Sequence, residues 1–189
     1  MKQLEERILE CGKYLGRGIL KVDSSINHQV EPGLMDTCGQ EFARVFSEVK
    51  PTRILTAEIS GIAPALMAGK YLNVPIVYAR KTKPITMPDT VYLTVAPSHT
   101  KGNMTELIVS PEYLSGGERV LIIDDFLASG STILGLVRLA EAAGAQLVGI
   151  GTLIEKSFEG GRAALEHLGV PIVSLVTITR MDDTGIYFK

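Results

Sequence analysis

From residue 53 onward the chain alternates between short, unbroken apolar runs and stretches whose apolar residues recur at helical spacing. The runs are RILTAE (53–58), VPIVYA (74–79), VLIID (120–124), LVGIGTLIE (147–155) and PIVSLVTI (171–178), and each predicts a strand. Residues 62–72, 132–143 and 161–168 predict helices between them, with Pro64 tolerable because it falls in a first turn. Continuous apolar runs alternating with helices imply strands buried on both faces. The expected fold class is therefore α/β, a twisted and mainly parallel sheet flanked by helices with right-handed crossovers. Upstream, Leu4, Ile8, Cys11 and Leu15 predict a helix over 3–15, and Leu34, Cys38, Phe42, Val45 and Phe46 predict another over 33–49, closed off by Pro51. Residues 18–32 read as irregular. Residues 80–119 break the rhythm with Pro84, Pro88, Pro97, Gly102, Gly116 and Gly117 and with weak β patterns at 90–96 and 104–109. They predict a flexible, hairpin-like excursion with a mobile tip, and such insertions are more often functional than idle. With no internal repeat, the expectation is one domain over 1–189, made of a helical N-terminal region (1–50) and an α/β core (53–178).

Composition narrows the classes. The chain has 189 residues, 46% hydrophobic and 21% charged, an ordinary globular balance. A net charge of −2 gives no overall case for nucleic-acid binding, which favours basic domains. Cys11 and Cys38 are too few for a disulfide framework and are expected as reduced thiols. Together with the scattered His28, His99 and His167 they do not build a metal cluster, so no protein-held metal is expected. The start, MKQLEERILE, lacks the apolar core of a signal peptide, and no run is long enough to span a bilayer. A soluble, cytoplasmic protein with no membrane partner is the expectation.

The candidate chemistry lies in VLIIDDFLASGST, residues 120–132. A buried strand ends in two acids, a turn of small residues follows, and a helix begins. The helix N-terminus offers unpaired N–H groups and a positive dipole end, which suits a phosphate. Ala128, Ser129, Gly130 and Ser131 are small enough for an anion to approach the backbone, and Ser129, Ser131 and Thr132 add hydroxyl donors. Asp124 and Asp125 stand where open α/β sheets bind ligands; they repel a phosphate but can accept hydrogen bonds from sugar hydroxyls. Acidic capping of the helix explains one acid and not a pair. No G-x-x-x-x-G-K-[ST] and no early G-x-G-x-x-G occurs, which disfavours nucleotide sites of those kinds.

This segment resembles the phosphoribosyl pyrophosphate (PRPP) motif of the type I phosphoribosyltransferases. The resemblance implies that Asp124 and Asp125, the expected catalytic pair, take the ribose hydroxyls and that Ala128 through Thr132 cradle the 5′-phosphate. Glu58, Ser60 and Gly61 follow the first core strand, where that family places its pyrophosphate loop and often a non-proline cis peptide; a plain βα turn is the alternative. Arg80 and Lys81, followed by Lys83, put three cations in four residues near an anionic substrate, with a solvated charge cluster as the alternative. Lys101 is a weaker candidate of the same kind.

The chain as a whole resembles the bacterial xanthine phosphoribosyltransferase family, through LKVDSSINHQV (20–30), the early Arg80-Lys81 and IEKSF (154–158). That resemblance implies an N-terminal hood over the base, with Leu20, Asn27 and Lys156 contacting xanthine and Phe158 packing on its ring. Asn27 can donate and accept at once, and Lys156 can donate to a ring oxygen. Core, turn and solvated roles are the plain alternatives for these residues. Hypoxanthine-guanine enzymes of the fold carry an Asp where this chain has Ala128, which points away from that branch and leaves any general base unassigned. The resemblance also implies Mg²⁺ bound through PRPP, and a homodimer. The expected reaction joins xanthine to PRPP, giving xanthosine 5′-monophosphate and pyrophosphate. The alternatives are transfer to adenine or another base, or a PRPP-sensing regulator, although the N-terminal segment shows no recognition helix.

Overall fold

The computed structural model describes residues 1–97 and 104–189. Lys101, His99 and the expected mobile tip of the excursion lie outside the described residues. The chain opens with α1 (Lys2–Cys11), β1 (Lys13–Tyr14), β2 (Leu20–Lys21), a π-helical turn (Asp23–Asn27) and α2 (Pro32–Phe46). The core follows as β3 (Arg53–Ala57), α3 (Ile62–Leu72), β4 (Ile76–Ala79), β5 (Tyr92–Pro97), β6 (Met104–Val109), β7 (Arg119–Leu127), α4 (Ser131–Ala142), β8 (Gln146–Lys156), α5 (Gly161–Leu165), β9 (Ile172–Asp182) and β10 (Gly185–Phe188). Six strands form one sheet in the order β10-β9-β8-β7-β3-β4, parallel except for the β9–β10 pair.

The sheet buries both faces, as the unbroken apolar runs require. Along β7, Leu121 and Ile123 join a core with Leu4, Ile8, Phe42 and Phe46 of α1 and α2. Val120, Ile122 and Leu127 join a second core with Ile133, Leu136 and Ala140 of α4. Each fully buried side chain of this size stabilises the fold by roughly 1.5–3 kcal/mol. On β8, a Cβ at Gly149 would lie 2.9 Å from Phe46, and one at Gly151 would lie 2.9 Å from Phe42, so α2 rests directly on the strand. The hairpin β5–β6 forms its own two-stranded sheet. Arg80 and Ile108 tie it to the end of β4 by reciprocal backbone bonds of 2.8 and 2.9 Å, and Arg138 of α4 donates to Thr94 Oγ1 and the Val95 carbonyl.

Four differences from the sequence reading have local causes. The first helix stops at Cys11 instead of running to 15, because Gly12 turns extended, and Leu15 is left exposed. Residues 18–32 are not wholly irregular: Leu20–Lys21 pairs antiparallel with Lys13–Tyr14, and Asp23–Asn27 coils into the π turn. The strand does not end at the two acids but runs on to Leu127, since Phe126 and Leu127 pair with Ile154 and Glu155 and Leu127 is fully buried. A last strand, Gly185–Phe188, folds back on β9 through a tight turn in which Thr184 N–H donates to Asp182 at 2.9 Å; four residues carry too little periodicity to read from sequence.

Candidate active site

A cleft of about 340 Å³ opens at the carboxyl ends of β3, β7 and β8, within the size range of small-molecule sites. Its floor is the end of β7. Asp124 is 5% exposed and Asp125 is half-buried; the Asp125 N–H donates to Asp124 Oδ1 at 3.0 Å. The following turn brings Ala128, Ser129, Gly130, Ser131 and Thr132 to the same cleft. Gly130 caps α4 at φ +82°, a conformation glycine adopts without a Cβ penalty. Ser129 and Ser131 share a hydroxyl hydrogen bond of 2.9 Å. The turn is braced from outside: Gly161 N–H donates to the Ala128 carbonyl at 2.9 Å, and a Cβ on Gly161 would fall 2.2 Å from that oxygen.

The loop after β3 forms a second side. The Glu58–Ile59 peptide is cis, at the place where the resemblance implies one. Glu58, Ile59, Ser60 and Gly61 all line the cleft. Gly61 packs so closely that a Cβ there would come within 2.2 Å of Thr56 Oγ1 and 2.7 Å of Asp124 Oδ1. Glu58 accepts the Lys81 N–H at 2.8 Å and lies 3.8 Å from the Arg80 guanidinium, so it joins the two loops. Of the three neighbouring cations, Lys81 lines the cleft; Arg80 turns to Glu58, and Lys83 lies 3.7 Å from Asp89.

The third side comes from the N-terminal region. Ile19, Leu20 and Asn27 reach the cleft, as do Phe126 and Lys156 from the ends of β7 and β8. Asn27 Nδ2 donates to Asp125 Oδ2 at 3.3 Å. Lys156 is 5% exposed; its ammonium donates to the Gly18 carbonyl at 2.9 Å, pairs with Glu159 at 2.5 Å and stands 5.7 Å from the centre of the Phe126 ring. Phe158 is not among the lining residues and is 46% exposed. The aromatic ring in the cleft is that of Phe126, which the sequence places in the turn after the acids and which the extended strand β7 carries to the cleft instead. Ile19 and Ile59 were passed over as ordinary apolar residues.

Burial pushes the Asp124 carboxyl well above the usual carboxylate range, and the adjacent Asp125 charge acts in the same direction. Burial also raises Asp125, against hydrogen bonds from Asp124, the Phe126 amide and Ser60 that pull it down. Two buried acids side by side resist losing both protons. A ligand that presents hydroxyl donors compensates their charge, so the pair is built to accept hydrogen bonds. The two carboxylates are hard oxygen donors that suit Mg²⁺, but among the described residues no group of three or more His, Cys, Asp or Glu could hold a metal ion. The donor set therefore fits a cation whose remaining ligands are substrate oxygens and water.

Elsewhere, Cys38 is buried and its thiol is pushed up to about 12 by that burial, while Cys11 donates to the Arg7 carbonyl at 3.1 Å; neither approaches the cleft lining. Among the described residues no helix is long and apolar enough to cross a membrane.

Residues 32–176 match the family described as phosphoribosyl transferase domain. The chain is similar to the xanthine phosphoribosyltransferase of Deinococcus deserti, 52% identical over 185 residues that cover 98% of this chain and 96% of the relative. It is similar to that of Listeria innocua, 46% identical over 100% of this chain and 98% of the relative. Among solved structures, adenine phosphoribosyltransferase from Thermoanaerobacter pseudethanolicus superposes with a TM-score of 0.75 at 25% identity, covering 92% of this chain and 99% of that one. The Giardia lamblia APRTase, crystallised with 9-deazaadenine, superposes at 0.77 with 20% identity, covering 94% and 98%, a likeness of fold.

Proposed function

The chain belongs to the phosphoribosyl transferase domain family, and from that premise we propose that it transfers the 5-phosphoribosyl group of PRPP to xanthine, giving xanthosine 5′-monophosphate and pyrophosphate. The observation that carries the reading is the convergence in one cleft of the buried acid pair, the small-residue turn at the start of α4, and a base-sized wall of Leu20, Asn27, Phe126 and Lys156.

Asp124 and Asp125 accept hydrogen bonds from the ribose 2′- and 3′-hydroxyls. The backbone of 128–132 and the hydroxyls of Ser129, Ser131 and Thr132 hold the 5′-phosphate at the N-terminus of α4. The 58–61 loop and Lys81 face the pyrophosphate. The acid pair would help hold Mg²⁺ brought with PRPP, and the ion would supply positive charge toward the pyrophosphate oxygens. These groups fix the sugar carbon while the C–O bond to pyrophosphate breaks and a purine nitrogen bonds to the positively charged carbon; catalysis is positioning and electrostatics. Ala128 offers no side-chain proton acceptor, and this reading has xanthine lose the proton on its attacking nitrogen to water by its own ionisation. An essential base in the kcat/KM pH profile that disappears on one Asp or Glu substitution excludes that step.

Lys156 donates to a ring oxygen of xanthine. Adenine carries no oxygen on its ring and would leave the remaining N–H of the buried ammonium without an acceptor, a ground for discrimination. The same reading makes the protein one domain over 1–189, a homodimer and cytoplasmic, each resting on family resemblance; light scattering checks the dimer. The deciding assay mixes the protein with PRPP, Mg²⁺ and each of xanthine, guanine, hypoxanthine and adenine. Xanthine gives the highest kcat/KM, and nucleotide formation from adenine alone overturns the base assignment.

A further inference from the structure

The hood meets the rest of the cleft at its tip. Gly16, Arg17 and Gly18 take three consecutive left-handed conformations, φ +85°, +51° and +74°, which turn β1 back into β2. That tip is seated on the segment that follows β8. The Lys156 ammonium donates to the Gly18 carbonyl, and a Cβ on Gly18 would lie 3.3 Å from Glu159 Oε1 and 3.6 Å from the Phe158 ring. An ammonium has three N–H donors. One goes to Gly18, and the ammonium is ion-paired with Glu159 at 2.5 Å, so a donor remains for the cleft that Lys156 lines.

We propose that Glu159, which does not line the cleft, is a positioning residue for the base: it pins the Lys156 ammonium between the hood carbonyl and the Phe126 ring, so that the remaining N–H is aimed at a ring oxygen. The inference rests on the reading of Lys156 as a xanthine contact. A buried cation is tolerated when it is paired, and here the Lys156 and Glu159 side chains are 6% and 16% exposed. A lysine stem is flexible and its charge point-like, so it directs a hydrogen bond only when its other donors are held. Glu159 also lies beside Gly18, so the same carboxylate serves the hood tip and the lysine. It follows that Phe158 and Glu159 act on the base through the hood and Lys156, not by contact.

The test compares xanthine KM, PRPP KM and kcat for the wild type, Lys156→Met, Glu159→Gln, Glu159→Asp and the Lys156→Met/Glu159→Gln double variant. Loss of a charged hydrogen bond in Lys156→Met raises xanthine KM about 30-fold. Glu159→Gln, nearly isosteric, raises it about 10-fold, with PRPP KM within about twofold. The double variant is no worse than Lys156→Met, because the two residues act as a unit. Glu159→Asp, which keeps the charge, recovers part of the loss. The proposal is overturned if Lys156→Met raises xanthine KM while Glu159→Gln leaves it at the wild-type value, if the two effects multiply in the double variant, or if Glu159→Gln raises both KM values equally, which marks a merely structural role. If Lys156→Met leaves xanthine KM unchanged, it is the reading of Lys156 itself that fails, a result distinct from the other three.

Discussion

The two ends of the cleft are built by opposite means. The sugar-phosphate part of the PRPP end is local: nine consecutive residues, Asp124 to Thr132, supply the acids, the small-residue turn and the helix start, and the sheet beneath fixes them. The base end is assembled from afar. Leu20 and Asn27 stand on the hood, Phe126 on β7 and Lys156 on β8, and the links between them span 98 residues for Asn27–Asp125 and 138 for Lys156–Gly18. Under the proposed function, the contrast teaches that the sugar phosphate is met by contiguous backbone and strand register, while the base is met by side chains that the hood and two core strands bring together.

The sharpest way to break that contrast is to alter the local end. Asp124→Asn removes an acceptor for a charge-assisted hydrogen bond and lowers kcat/KM for PRPP about 100-fold, with xanthine KM near wild type; wild-type kinetics in both Asp124→Asn and Asp125→Asn would remove the ribose role. Gly161→Ala tests the brace. Its methyl group would sit 2.2 Å from the Ala128 carbonyl, so the turn shifts and PRPP kcat/KM falls about 30-fold, since a displacement near 1 Å at a reacting centre is costly. Calorimetry showing unchanged PRPP affinity in this variant would mean the turn is not held from outside. At the distributed end, Asn27→Ala removes a neutral partner of the base and the 3.3 Å hydrogen bond to Asp125, and raises xanthine KM about fivefold with a smaller change in PRPP KM; equal changes in both KM values would erase the division between the ends.

The smallest effect is on stability. Both acids are raised by burial, so the folded chain binds more protons than the unfolded one between the ordinary carboxylate value and the raised one. Their contribution is fully present in acid and is lost as pH rises through the raised value. Ligand-free Asp124→Asn is therefore more stable than the wild type at neutral pH, each kcal/mol appearing as about 2–4 °C in Tm for a chain of this length. The gap closes below about pH 4. Thermal melts across that range check it, and a wild type more stable than the variant at neutral pH would contradict the sign.

Legibility in the sequence followed the same division. The strands and helices of the core were readable because both faces of each strand are buried and the apolar runs are unbroken. The motif at 124–132 was readable because its parts are contiguous. The resemblance supplied Leu20, Asn27 and Lys156, which nothing in local spacing marks. Phe158, in the segment IEKSF that carries the resemblance, is expected to pack on the base ring, but a short 3-10 turn at Ser157–Glu159 leaves it outside the cleft lining, which holds Phe126. Arg80 and Lys83 lie within two residues of Lys81 but outside the cleft lining, 3.8 Å from Glu58 and 3.7 Å from Asp89, acids that a list of positive charges does not reveal.

The two bare positions on β8 under α2 have a consequence for how such chains can vary. Gly149 and Gly151 are the hollows into which Phe46 and Phe42 are set, and the strand that contains them ends in Lys156. Enlarging either glycine alone forces an aromatic ring of α2 to retreat. Drift at these sites must therefore come in matched steps, small for large on one element and large for small on the other, so that the interior seam is inherited as a pair.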